Sequence, residues 1–323
     1  MSSPLIDVHH HVVPAFYRAE LETAGLLRPI PGVDYPRWDP AASRAMMDRL
    51  GINAAVLSVT EPGVHFTAGE SARRLARRLN EYLAGLVADE PARFGAFAVL
   101  PLPDVDAALT ELAYALDVLR LDGVGVLTNY RGTYVGDFSF EPLLAELDRR
   151  EVPVLLHPAR PPGRDQPTFG LPASVFEFPF DTTRAVANLL YSGALDRYPG
   201  LRLIVPHAGG TVPFLAGRLA DAAVISPELA GRAPADPIGA LRRLWFDTAL
   251  SANPYTLPSL HALADPGRVL FGSDFPFMPY GYARDSHAAL CHHHAGNPHL
   301  LERIRSGNAA ALFPRLALVT TRS

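Results

Sequence analysis

Leu5-Ile6-Asp7-Val8-His9-His10-His11 decides the reading of this chain. Leu5 and Ile6 belong to a short apolar run, Pro4–His9, that predicts a buried strand. Side chains alternate along an extended backbone, so His9 and His11 point one way and His10 the other. Two neighbouring imidazoles at one strand end are half of a metal site. Other apolar runs end in the same manner: Leu155-Leu156-His157-Pro158, Ile204-Val205-Pro206-His207-Ala208-Gly209-Gly210 and Phe271-Gly272-Ser273-Asp274-Phe275-Pro276. One histidine pair is a weak signal. Histidines and an aspartate closing several separate strand-like runs are a strong one.

Working outward, further short runs predict strands at Ala54–Ser58, Gly95–Leu100, Gly123–Leu127, Val152–His157, Arg202–His207, Leu244–Thr248 and Arg268–Ser273. Amphipathic stretches separate them: Pro40–Leu50, Ala72–Val87, Val105–Arg120, Phe140–Arg149 and Thr182–Arg197. Repeated strand–helix alternation predicts parallel strands with crossover helices. Eight such units predict an α/β fold, a closed (β/α)8 TIM barrel. The polar residues of interest fall at the C-terminal strand ends, where such barrels build their sites. Residues 1–323 are expected to form one domain, with long loops at about 12–40 and 158–180 over the C-terminal face.

His9, His11, His157 and Asp274 offer three nitrogens and a carboxylate. That set suits one divalent metal, zinc first and manganese second. Asp274 doubles as a candidate acid–base group. His207 precedes Ala208-Gly209-Gly210, and it reads either as a fifth ligand or as a free acid–base imidazole; we favour the second. His10 reads as structural and His292-His293-His294 as a surface tract. His65, after the second strand, and Phe275 are candidate substrate contacts. Phe16, Tyr17, Trp38, Phe66, Tyr130, Tyr134, Phe176 and Phe178 are further candidates for an aromatic-accepting mouth.

Composition removes several chemistries. All 29 basic residues are arginine. Without lysine there is no Schiff-base catalysis, no covalent pyridoxal phosphate and no carboxylated lysine to bridge two metals. A net charge of −4 offers no field for nucleic acid. The single cysteine, Cys291, rules out an internal disulfide and fits a reducing cytoplasm. Met1-Ser2-Ser3-Pro4 lacks the pattern of a signal peptide, and no apolar stretch is long enough to span a membrane.

The chain resembles the amidohydrolase-related decarboxylases typified by aminocarboxymuconate-semialdehyde decarboxylase. The resemblance runs through Asp7-Val8-His9-His10-His11, Trp38-Asp39-Pro40, His157-Pro158, His207-Ala208-Gly209-Gly210, Gly217-Arg218, Gly272-Ser273-Asp274-Phe275-Pro276 and Gly307-Asn308-Ala309. It is most similar to the 6-methylsalicylate decarboxylase-like group, through Glu61-Pro62-Gly63 and Phe178-Pro179-Phe180-Asp181-Thr182-Thr183-Arg184. It departs from the type member near Pro31, where that member carries a substrate arginine; Arg28 is not aligned with it. The resemblance implies His9, His11, His157 and Asp274 as ligands and His207 as catalytic. It also implies a homodimer in which Arg218 reaches the substrate carboxylate in the partner subunit's site. The expected reaction is non-oxidative decarboxylation of a small aromatic or unsaturated carboxylic acid. The alternative on the same ligands is hydrolysis of a lactone or amide.

Overall fold

A computed structural model describes residues 4–27, 34–163, 167 and 169–317. Arg28 and Pro31, and parts of both predicted insertions, lie outside these residues. Eight parallel strands form the sheet: β1 (Ile6–His11), β2 (Ala54–Ser58), β3 (Phe94–Val99), β4 (Gly123–Leu127), β5 (Pro153–His157), β6 (Arg202–Val205), β7 (Trp245–Asp247) and β8 (Val269–Leu270). Each pairs with its sequence neighbour. The sheet closes where β1 meets the chain after β8. There Val8 N–H donates to the Phe271 carbonyl (3.0 Å), Asp274 N–H to that of His9 (2.9 Å) and His11 N–H to that of Phe275 (2.6 Å). The barrel predicted from the sequence is present, and closure brings Asp274 beside His9.

Two apolar cores hold it. Ile6, Val8, Val56, Phe97, Leu155, Ile204 and Leu270 fill the barrel interior, with Leu312, Phe313 and Leu316 from the C-terminal helices against them. The larger core lies between the strands and the outer helices. It includes Leu57, Leu79, Leu83, Leu143, Leu147 and Leu189, the apolar faces of stretches read as amphipathic.

A bulge in β1 orients the site. Asp7 pairs with Ala55 and His10 with Leu57, so three steps on β1 oppose two on β2. Strict alternation would group His9 and His11 with Leu5, in the outer core. The extra residue instead turns them inward, on the side of Ile6 and Val8, while His10 faces out with Asp7.

Local chemistry sets the bounds of the helix that packs on β1. Helix Pro40–Leu50 has proline in its first turn and Asp39 accepting the Ala42 N–H at 2.8 Å. It stops at Gly51, whose φ of 73° suits glycine. The sequence reading errs after β5. The helix expected at Thr182–Arg197 is Ala173–Tyr191, with Pro179 inside it, and a separate turn, Ala194–Arg197, follows Gly193. Pro179 lacks an N–H for the helix ladder, yet buried Phe178, Asp181, Val186 and Leu189 hold the helix through it. Among the described residues no helix is long and apolar enough to cross a membrane.

Candidate metal centre

The polar ends of β1, β5, β6 and β8 converge. His9 and His11 are wholly buried, and His157, His207 and Asp274 are nearly so. His9 Nδ1 donates to Asp247 Oδ2 at 2.8 Å, and the His157 Nδ1 to the Pro158 carbonyl at 2.8 Å. Neither acceptor carries a hydrogen, so each ring in its neutral form keeps its lone pair on Nε2. His11 Nδ1 is held by Ser58 Oγ at 2.8 Å. The His9 and His11 Nε2 atoms stand 2.9 Å apart. Asp274 Oδ1 lies 3.5 Å from His9 Nε2 and 3.2 Å from His11 Nε2. His9, His11 and His157, and likewise His9, His207 and Asp274, each present ligand atoms within 4.8 Å of one another. Converging lone pairs and a buried carboxylate fit a divalent cation.

Electrostatics follow from this crowding. Burial works against a charge on His9, but Asp247 and Asp274 outweigh it and raise its pKa to about 9. Burial lowers His11 to about 4 and takes His157 well below the ordinary imidazole value. Burial also opposes the charge on Asp274, but His9, His11 and His207 prevail and hold its carboxyl well below the usual range.

His207 is different. Neither of its ring nitrogens has a hydrogen-bond partner, although both are buried. Its Nε2 lies 3.6 Å from Asp274 Oδ2. Its backbone N–H donates to Asp247 Oδ1 at 3.0 Å. His207, Ala208 and Asp274 all have φ between 55° and 59°, a left-handed conformation costly for residues with a Cβ. Gly209 and Gly210 continue the turn with positive φ. A Cβ on Gly210 would overlap the Pro179 carbonyl. The tight turn therefore needs glycine, and it sets His207 at the cavity edge.

The cavity above the centre measures about 100 Å³ and is lined by Tyr35, Thr60, Glu61, His157, Ser174, Phe178, His207, Leu250, Asp274, Phe277 and Met278. Of the aromatics expected at the mouth, Phe178 lines it and the others do not. Phe275 packs against His10, ring centroids 5.0 Å apart, on the far side of β1. Phe277, two residues on, occupies the wall instead. His65 stands edge-on to Tyr130 at 5.7 Å, away from the lining. Arg218 is exposed on helix Val212–Ala220, outside this cavity. His10 bonds Asp7 Oδ2 at 3.0 Å and Ser43 Oγ at 2.8 Å, which ties β1 to the helix Pro40–Leu50.

Sequence reasoning missed Asp247, which fixes His9 and the His207 backbone together. Its signal was available: it is an aspartate at the end of the seventh run, as Asp274 is at the eighth. Thr60, just past the second run, was likewise passed over, and Glu61 was noted only within Glu61-Pro62-Gly63 and given no role.

The amidohydrolase family model matches residues 6–315. A 6-methylsalicylic acid decarboxylase of Penicillium expansum is 38% identical over 315 residues, 96% of either chain. The crystal structure of an amidohydrolase II superposes with a TM-score of 0.89 at 30% identity, covering 96% of this chain and 99% of the other. A dihydroxybenzoic acid decarboxylase of Polaromonas, with bound manganese and the inhibitor 2-nitroresorcinol, gives 0.80 at 25% identity over 97% of each. With its barrel, buried His/Asp centre and these relatives, the chain belongs to the amidohydrolase family and, within it, to the metal-dependent non-oxidative decarboxylases of aromatic acids.

Proposed function

We propose that this enzyme decarboxylates a salicylate-like acid, with 6-methylsalicylate the first substrate to test. The observation that carries this is one small cavity lined by His157, Asp274 and a His207 whose ring nitrogens have no hydrogen-bond partner, with His9 and His11 buried beside them. Its volume is of the same order as the ~150 Å³ site that admits a benzene ring, which favours a single ring. Phe178, Phe277 and Met278 supply an apolar wall.

His9, His11, His157 and Asp274 would hold one ion, and zinc suits three imidazoles and a carboxylate. Bound there, a divalent cation supplies Lewis-acid stabilisation of negative charge on the substrate's carboxylate and ortho oxygen. The chain's residues handle the proton. Asp274 Oδ1 faces the ligand histidines and Oδ2 faces His207, so the carboxylate lies between the centre and a free imidazole. His207 carries the proton and, through Asp274, delivers it to the ring carbon bearing the carboxylate. The carbon–carboxylate bond then breaks, its electron pair restores the aromatic ring and carbon dioxide leaves. One proton is taken up per carbon dioxide released.

Arg218 we assign to the partner subunit's site in a homodimer. Phe214, one helical turn before Arg218, is 81% exposed, and exposed Val224 and Ile225 follow. Exposed apolar side chains on two consecutive helices favour a subunit contact. A guanidinium crossing it suits a carboxylate because its planar fork binds both oxygens. The lone Cys291 suits a reducing, cytoplasmic setting.

The test is carbon dioxide release from 6-methylsalicylate, other salicylates and dihydroxybenzoates, alongside metal analysis and sedimentation. Ring opening of lactones without carbon dioxide release would overturn the decarboxylase reading. Manganese rather than zinc, or an active monomer, would overturn those two assignments separately.

A further inference from the structure

Three imidazoles outside the barrel meet where two helices end. His261 lies in the last turn of helix Leu257–Leu263, which follows β7. His293 is the last residue of helix Tyr280–His293, which follows β8, and His294 caps it. One ligand nitrogen from each lies within 4.8 Å of the other two. His294 is buried, His261 partly buried and His293 exposed.

Tautomer logic locates the inward-facing lone pair. His294 Nδ1 donates to the Leu290 carbonyl at 2.8 Å. The carbonyl has no hydrogen to give, so His294 keeps its lone pair on Nε2. That atom stands 2.8 Å from His261 Nε2. The pattern repeats the buried centre, where His9 and His11 bring their Nε2 atoms to 2.9 Å with Nδ1 held behind. The His293 ring completes the group, parallel to His261 at 6.0 Å and edge-on to His294 at 4.9 Å. Among the described residues no carboxylate pairs with any of the three. The carbonyl end of helix Tyr280–His293 points at the cluster, and a cation is favoured at that end.

We propose that His261, His293 and His294 form a second metal site, for a divalent transition ion of the zinc class, separate from the buried centre. Three imidazoles leave a fourth position, and the exposure of His293 opens it to water or an external ligand. At zinc–nitrogen distances of about 2.0–2.1 Å, tetrahedral ligands stand roughly 3.3 Å apart. Binding therefore spreads the His261–His294 pair by roughly half an ångström and pins one helix end to the other.

Zinc titrated into tag-free protein that already holds one equivalent should reveal a second, weaker equivalent that a mild chelator removes first. His293→Ala alters an exposed side chain and should weaken that second equivalent at least tenfold. His261→Ala with His293→Ala should remove it. Both variants should keep the first equivalent and full carbon dioxide release. In the reverse arm, the His9→Ala, His11→Ala protein should lose the tight equivalent and retain the weaker one. A wild-type protein that takes only one equivalent, or a second equivalent that survives in the His261→Ala, His293→Ala protein, would overturn the proposal. Failure of the active-site reading would show only in the His9 and His11 arm.

Discussion

Replacing Asp247 by Asn keeps the size of a wholly buried side chain and changes one hydrogen-bonding role. Asp247 Oδ2 accepts from His9 Nδ1 at 2.8 Å, and Oδ1 accepts the backbone N–H groups of His207 and Ala249, each at 3.0 Å. In Asp247→Asn the amide oxygen stays with the two backbone donors, because leaving them unpaired in the core costs about 1–3 kcal/mol each. The amide NH2 then faces His9 Nδ1. Two donors cannot share that contact, so His9 moves its proton to Nε2 and blocks the atom aimed at the metal. Carboxylates behind ligand histidines typically contribute 10–100-fold to metal affinity or activity. The expected loss is thus about 1.4–2.7 kcal/mol in metal binding. Competition against a chromophoric chelator measures the affinity, and carbon dioxide release at saturating metal measures the remaining turnover. The thermal midpoint of the metal-free variant should fall, because the buried carboxylate that favours a charged His9 is gone, although both backbone donors remain satisfied. Unchanged metal affinity and unchanged kcat/KM in Asp247→Asn would refute the tautomer argument.

Four further outcomes follow from the same geometry. His157→Ala should lose both bound metal and turnover, whereas His207→Ala should lose turnover by about 100-fold or more, the range of a removed acid–base group, with metal content near wild type; elemental analysis alongside carbon dioxide release separates the two. Gly210→Ala should lower activity and soluble yield together, because φ is +63° and the added methyl meets the Pro179 backbone; a fully active, stable variant would contradict this. Arg218→Ala should raise the substrate KM at least tenfold and leave metal content unchanged, as read by initial rates and elemental analysis. Burial and, for His65, Arg131 or, for His287, Arg305 hold these two imidazoles at a pKa of about 4, below the ordinary 6.5. A depressed folded pKa gives stability that is present above about 6.5 and lost as pH falls toward 4, so thermal midpoints measured across that window should drop, and less steeply in His65→Gln.

The proposed ligand set was readable in the sequence because its members close three separate apolar runs, and a barrel gathers strand ends whatever separates them along the chain. His157 needed only alternation: it shares the inner face with Leu155, two residues before it. His9 and His11 needed more. Period-two counting keeps the pair together but does not place it inside, and the β1 bulge that does so leaves no mark in composition. Phe275 shows the same limit. It follows Asp274 directly, so being near the centre in sequence suggested a substrate contact, but Asp274 has a positive φ and the chain turns there, giving the wall to Phe277.

Asp247 marks a different boundary. A ligand announces itself by residue type, since few side chains bind metal. The group behind a ligand is an ordinary aspartate whose importance lies in which nitrogen it faces. Only closure of β7 between β6 and β8 brings it against His9, 238 positions away in sequence, and beneath the His207 backbone. One buried carboxylate thereby accepts from both His9, the proposed metal ligand, and the backbone of His207, the proposed acid–base group. Its substitution should therefore disturb metal affinity and turnover together. Removing His207 should disturb turnover alone. That difference separates positioning from proton transfer at this centre.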